Sequence, residues 1–189
     1  MSQAARVIEG VELPPAGTYA FDPAHTEVAF VARHMLSKVR GKFEGVTGTI
    51  EIGDGPEDSK VEVELDAASI TTGTQMRDDH LRSGDFLLVE EHPTLTFTST
   101  GVRITGERTF DLTGDLTIKG ITKPVTLKAE FLGWGPNHQG TPMLAFEAKA
   151  TIAREDWDIT WNVAVETGGF LVGKKVDIEI NVEALPVEA

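Results

Sequence analysis

Along most of the chain, apolar and polar side chains alternate one for one. Val28, Phe30 and Ala32 fall on one side of such a run, with Glu27, Ala29, Val31 and Arg33 on the other. The spacing recurs at Val61, Val63 and Leu65, at Leu95 and Phe97 between threonines, and at Phe110, Leu112, Gly114, Leu116 and Ile118. Val125, Leu127, Ala129 and Phe131 continue it, then Leu144, Phe146, Ala148, Ala150 and Ile152, and finally Val176, Ile178, Ile180 and Val182. Successive side chains of a strand point to opposite faces, so a period of two predicts half-buried antiparallel strands. Turn formers separate the runs at Gly53-Asp54-Gly55-Pro56, Gly106-Glu107, Lys119-Gly120 and Gly135-Pro136-Asn137.

One stretch breaks the rhythm. Thr74 to Ser83 does not alternate and reads as a short helix inserted between strands. Residues 1–16 read as a flexible lead-in that ends at Pro14-Pro15-Ala16-Gly17, leaving 17–189 as one domain. Several runs are long enough to span about 30 Å, and strands of that length need closure or a second sheet to protect their edges. The predicted class is all-β. The inner rows mix Phe97, Phe110, Phe131 and Phe146 with Ala32, Gly114, Ala129, Ala148 and Ala150. Small inward residues leave volume, which suits a cavity; a solid sandwich core with interdigitating large and small residues fits the same pattern.

Composition narrows the function. The chain has 189 residues, 40% hydrophobic and 25% charged, as expected of a globular protein. Seventeen basic against 30 acidic side chains give −13, a field that opposes general binding to nucleic acid or anionic membranes. There is no cysteine, so thiol catalysis and Cys-based zinc sites are excluded. No segment approaches the roughly 20 apolar residues of a bilayer span. The first residues lack the apolar run of a signal peptide, and the expected location is cytoplasmic.

Candidate chemistry is sparse. The histidines form neither His-x-His nor His-Glu-x-x-His, and His25 and His34 would lie about 30 Å apart on one strand, so no metal site is expected. There is no Gly-x-Ser-x-Gly elbow and no triad spacing. The Arg77-Asp78-Asp79-His80 cluster has two readings: Arg77 or His80 donates to a ligand headgroup, or Arg77 pairs with Asp78 or Asp79 and pins the helix as a lid. Trp157 and Trp161 either line a tunnel end or cap the barrel. The glycine-rich 166–173 segment reads as a loop rather than a phosphate cradle.

Three blocks resemble the YceI-like lipid-binding family. They are Asp22 to Phe30 with His34 and Val39 to Phe43; Asp66 to Thr72 with Arg77 to Leu81 and Asp85-Phe86; and His92-Pro93, Phe97 and Gly114 to Val125. With the Val176 to Leu185 ending, the likeness runs from Gly17 to Leu185. Thr26 stands where many relatives have serine, and Phe86-Leu87-Leu88 where they often have two aromatics and an acid. The resemblance implies an extended lipocalin-like antiparallel barrel with an internal apolar tunnel, a homodimer, and a bound polyprenyl pyrophosphate, quinone tail or similar long-chain lipid instead of a cofactor. The expected tunnel lining is Val28, Phe30, Phe43, Leu65, Phe86, Phe97, Leu112, Leu116, Phe131, Phe146, Ile152 and Trp161. Arg77, His80, Arg154 and Trp157 are the expected headgroup or lid residues. Binding, storage or transport is the leading function and no catalysis is expected. The rival readings are an enzyme using Asp79 and His80 as acid and base, and a structural or stress module that binds no ligand.

Overall fold

The computed structural model describes residues 5–8, 10–166 and 168–187. Thirteen strands appear in chain order: β1 (Arg6–Ile8), β2 (Val11–Leu13), β3 (Gly17–Phe21), β4 (Glu27–His34), β5 (Ser37–Phe43), β6 (Val46–Ile52), β7 (Lys60–Asp66), β8 (Ile70–Thr71), β9 (Thr94–Ile104), β10 (Thr109–Ile118), β11 (Ile121–Pro136), β12 (Pro142–Ala153) and β13 (Val172–Pro186). The single α-helix among the described residues, α1 (Gln75–Arg82), lies within the non-alternating stretch.

Eight strands close an antiparallel barrel in the order β12-β11-β10-β9-β7-β6-β3-β13, with β13 returning to β12. The closing strand is shared. One edge of β13 pairs with β12 from Lys175 to Ala184, whereas the other pairs first with β4 and then, from Ala184 onward, with β3. The strand pair β4–β5, with β8 beyond it, therefore extends the wall at the end that α1 covers.

Local chemistry sets the turns. Ile118 faces Ile121 across a two-residue turn in which Lys119 and Gly120 both have positive φ, the geometry that matches strand twist. In β11 the register shifts between Phe131 and Gly133, and the extra residue, Leu132, is pushed outward to solvent. On the outer wall Arg40 bridges Glu27 and Glu179, and Asp111 bridges Arg103 and Lys128, so charge triplets tie three strands in register.

Within the expected lead-in, β1 and β2 form a hairpin turned at Gly10, whose φ is +82°. Residues 1–4 and Glu9 lie outside the described residues. The hairpin is fastened to the barrel end. Glu12 donates its N–H to Glu107 O at 3.1 Å and pairs with Arg108 at 2.5 Å, and Arg6 donates to the carbonyls of Gly53 and Pro14. These contacts are distant in sequence, which is why the pattern of residues 1–16 does not announce them.

Candidate functional site

Inward-facing rows that would fill a solid core instead enclose an elongated, almost wholly apolar cavity of about 630 Å³. Pockets of about 300–1,000 Å³ accommodate small-molecule ligands, and eight strands give a barrel just wide enough to hold one. Aromatic side chains keep the lumen open by lying against its wall. Phe30 opposes Gly41 in register, and a Cβ at Gly41 would sit 2.3 Å from the Phe30 ring. Phe97 covers Gly114 and Phe21 covers Gly48 in the same way. The missing side chain on one strand is thus the seat for a ring from the next.

All sixteen residues expected at the site border this one cavity. Val28, Phe43, Leu65 and Phe86 belong to a cluster at the α1 end, against which Phe30, Leu116, Ile152 and Trp161 pack. Phe97 and Leu112 lie at mid-barrel, and the tilted rings of Phe131 and Phe146 meet at 5.2 Å toward the β1–β2 hairpin. Others outside the expected lining, among them Leu81, Leu87, Ile70 and Val63, also face the cavity. Leu81 sits on the helix and Leu87 in the irregular segment after it, where period-two reasoning has no purchase.

The scan of known families places a YceI-like domain over residues 19–184. The chain belongs to the YceI-like family. It is 44% identical over 149 residues to a UPF0312 protein of Ectopseudomonas mendocina, covering 77% of this chain and 78% of the relative. The structure of Burkholderia cenocepacia BcnA superimposes with a TM-score of 0.74 at 22% identity, over 86% of this chain and 98% of BcnA. A polyisoprenoid binding domain from Saccharophagus degradans gives 0.65 at 13% identity, over 92% of this chain and all of that domain. At these identities the two structures carry the fold alone.

In this YceI-like barrel the cavity reaches the surface between the β4–β5 turn, α1 and the 163–171 loop, where Arg33, Met76, Arg77 and Leu171 line it. α1 is anchored there differently from the expected ion pair. Asp78, 5% exposed, accepts from Thr71 Oγ1, Thr72 N–H and Thr72 Oγ1 at 2.5–3.1 Å. Burial alone would raise its pKa; the Thr72 and Thr71 hydrogen bonds and the Arg82 charge prevail and hold it below the usual carboxylate range. Arg77 pairs with neither Asp78 nor Asp79. Its Nε donates to Thr72 Oγ1 at 2.6 Å, and Nη2 to Thr72 O and Thr74 Oγ1. A threonine takes the place of a carboxylate because Asp78 is already occupied by hydroxyl and amide donors. Nη1 makes no bond among the described residues.

His80 is held edge-on between Phe86 (5.0 Å) and Trp161 (4.6 Å), with Nε2 2.8 Å from Asp85 Oδ2. The acid–base pair of the enzyme reading is not assembled. Asp79 points outward and binds Arg82 and Gln75, and it does not border the cavity. Arg154, 4% exposed, donates to the carbonyls of Gly173, Ile159 and Val172, clamping the strand β13 to the turn before it. Burial pushes its pKa down while Glu155 acts the other way, yet a guanidinium remains a cation. Trp157 is buried, and its indole N–H donates to Leu116 O at 3.1 Å. Its donor is already taken.

Among the described residues one trio offers close ligand atoms for a metal: Asp22, His25 and Glu183, within 4.8 Å of one another. It lies at the bend between β3 and β4, and none of the three borders the cavity. His25 Nδ1 contacts Asp22 Oδ2 at 2.8 Å, and this hydrogen bond raises the histidine pKa and lowers that of the acid. The trio has the character of an ion pair that fastens the bend. No helix among the described residues is long and apolar enough to cross a membrane.

Proposed function

We propose that this protein binds and carries a long-chain isoprenoid or similar amphiphilic lipid, with the tail along the barrel and the headgroup at the α1 mouth. The observation that carries the reading is the elongated apolar cavity of about 630 Å³. Burying each methylene contributes about 0.8 kcal/mol, so a chain threaded through such walls binds tightly without close shape matching. At the mouth the free Nη1 of Arg77 presents a donor suited to a phosphate or a quinone oxygen. The resemblance to a domain described as polyisoprenoid binding supports the same class of ligand. Asp79, the proposed partner of His80 in the enzyme reading, is turned to solvent and bound by Gln75 and Arg82, which favours a carrier over that enzyme.

Native mass spectrometry of protein purified without detergent tests the reading, together with titration of a fluorescent polyprenyl pyrophosphate. Ala129 and Ala148 face each other across β11 and β12 and line the cavity. Ala148→Phe is expected to obstruct the tail path and lower probe affinity by more than ten-fold, while Arg77→Gln weakens a pyrophosphate probe more than a headgroup-free polyprene. A wild-type protein that carries no lipid and takes up no probe refutes the proposal. Recovery of a chemically altered probe would restore the enzyme.

A further inference from the structure

The exposed large apolar side chains are not scattered evenly. Leu36 is 95% exposed, Met76 83% and Phe170 61%, and Met35 and Val163 are also open to solvent. Backbone contacts gather them: Met35 N–H donates to Leu171 O, Leu171 N–H donates to Val163 O, and Ala164 bridges Phe170. Met76 stands across the opening, where it lines the cavity together with Leu171. Three separate tips, the β4–β5 turn, the start of α1 and the 163–171 loop, therefore carry an apolar rim around the mouth.

Beside the rim is a cationic patch that runs against the charge of the chain. From Arg33 to Lys42 there are four basic residues and no acid. Arg40 is matched by Glu27 and Glu179, but among the described residues Arg33 and Lys38 have no carboxylate in ion-pairing reach. They also face each other directly across β4 and β5. Like charges in register destabilise a strand pair unless an anion is supplied. Several carboxylates at this end are engaged, Asp79 by Arg82, Asp85 by His80, and Glu155 by Lys174, leaving Asp156 and Glu166.

We infer that the mouth docks on an anionic bilayer surface, Leu36, Met76 and Phe170 entering the headgroup–acyl boundary while Arg33 and Lys38 meet lipid phosphates. Protruding apolar tips flanked by cations suit an interface whose lower layer is apolar and whose upper layer is negative. A second copy fits poorly, because a two-fold interface is built from the same patch of both copies and would bring two unmatched basic patches into one contact. The cavity opens inside the rim, so a docked barrel faces lipid with its lumen.

Co-sedimentation with phosphatidylglycerol-rich vesicles, compared with phosphatidylcholine vesicles, tests this. The wild type should bind the anionic vesicles and release them at high salt. Arg33→Gln with Lys38→Gln should weaken that binding by about 30-fold, and Leu36→Ser with Phe170→Ser by more than about ten-fold. All four positions are exposed, so unchanged melting temperatures are expected to accompany the loss. Absence of wild-type binding, equal binding by the rim variants, or a rim-dependent dimer in sedimentation velocity without vesicle binding would each overturn the inference. Uptake of a soluble polyprenyl probe, measured on the same proteins, separates docking from cargo: rim variants that lose vesicles but keep the probe leave lipid carriage standing, and a wild type that binds vesicles in a rim-dependent way but takes up no probe leaves docking standing.

Discussion

Gly41→Ala isolates the feature that keeps the lumen open. Its new Cβ would stand 2.3 Å from Phe30 Cζ, 2.6 Å from Phe30 Cε1 and 2.9 Å from Thr72 Cγ2. All three are side-chain atoms, so the backbone can stay while the Phe30 ring swings off the wall into the cavity it borders. Overpacking of this kind costs about 1–3 kcal/mol. Against it stands a gain of roughly 0.5–1 kcal/mol from replacing glycine in a strand. The net loss is then up to about 2.5 kcal/mol, which lowers the melting temperature of a protein this size by up to roughly 10 °C. Thermal unfolding and probe titration read the two consequences separately. Stability should fall, and the displaced ring should block the tail path near the mouth and cut probe affinity. Phe30→Leu in the same chain removes the clashing ring, so the double variant should recover most of the lost stability, a coupling that a double-mutant cycle measures. A single variant at least as stable as wild type, with normal probe uptake, would refute the seating of rings on glycines. So would a double variant that shows no recovery.

Arg154→Met should lower stability by more than roughly 2 kcal/mol in urea unfolding, because it takes the guanidinium donors from the carbonyls of Gly173 and Ile159, a buried acceptor left unpaired costing about 1–3 kcal/mol, while Val172 O keeps its bond from Asn162. Arg154→Lys should restore only part, since an ammonium lacks the planar fork. Asp78 has a folded pKa below its unfolded value of about 3.9. Its stabilising contribution is therefore present above pH 4 and lost as pH falls through the folded value. Acid titration followed by the protection of α1 amides should show the helix loosening in that window, and Asp78→Asn should flatten the dependence. His25 has a raised pKa, so its contribution is present below about pH 6.5 and disappears as pH rises through the folded value. Proton NMR should show the His25 titration moving down in Asp22→Asn. A titration unmoved by that substitution would exclude Asp22 as the cause.

The strand rows were legible because each buries one face, and period two survives wherever that is so. Val176, Ile178, Ile180 and Val182 line the lumen as their alternation with Lys175, Asp177, Glu179 and Asn181 predicts. α1 was legible from the loss of alternation, and the family from motif order. The small inward residues fit both an open lumen and an interdigitated core; Gly114 is where the Phe97 ring lies, so the opening comes from rings on the wall and not from small residues alone. Of the two readings of Arg77, the ion pair with Asp78 or Asp79 does not form; Asp78 is taken by Thr71 and Thr72, hydroxyl chemistry that spacing does not reveal. The β1–β2 hairpin depends on Glu12 meeting Arg108, nearly a hundred residues away, and no local rule could supply that.

The two-sided pairing of β13 has a consequence for how the chain reaches its native state. Val176 must find Ala32, and Ala184 must find Phe21, across some 150 residues of intervening chain. Until β13 arrives, β12 on one flank and β3 and β4 on the other keep bare hydrogen-bonding edges and their apolar rows face water. Closure entropy of so long a loop places this protein among slow folders, with a waiting period in which edges invite pairing between molecules. The charge of −13 gives growing chains mutual repulsion through that interval. Refolding yield should therefore fall as salt rises, even where the finished barrel is indifferent to it.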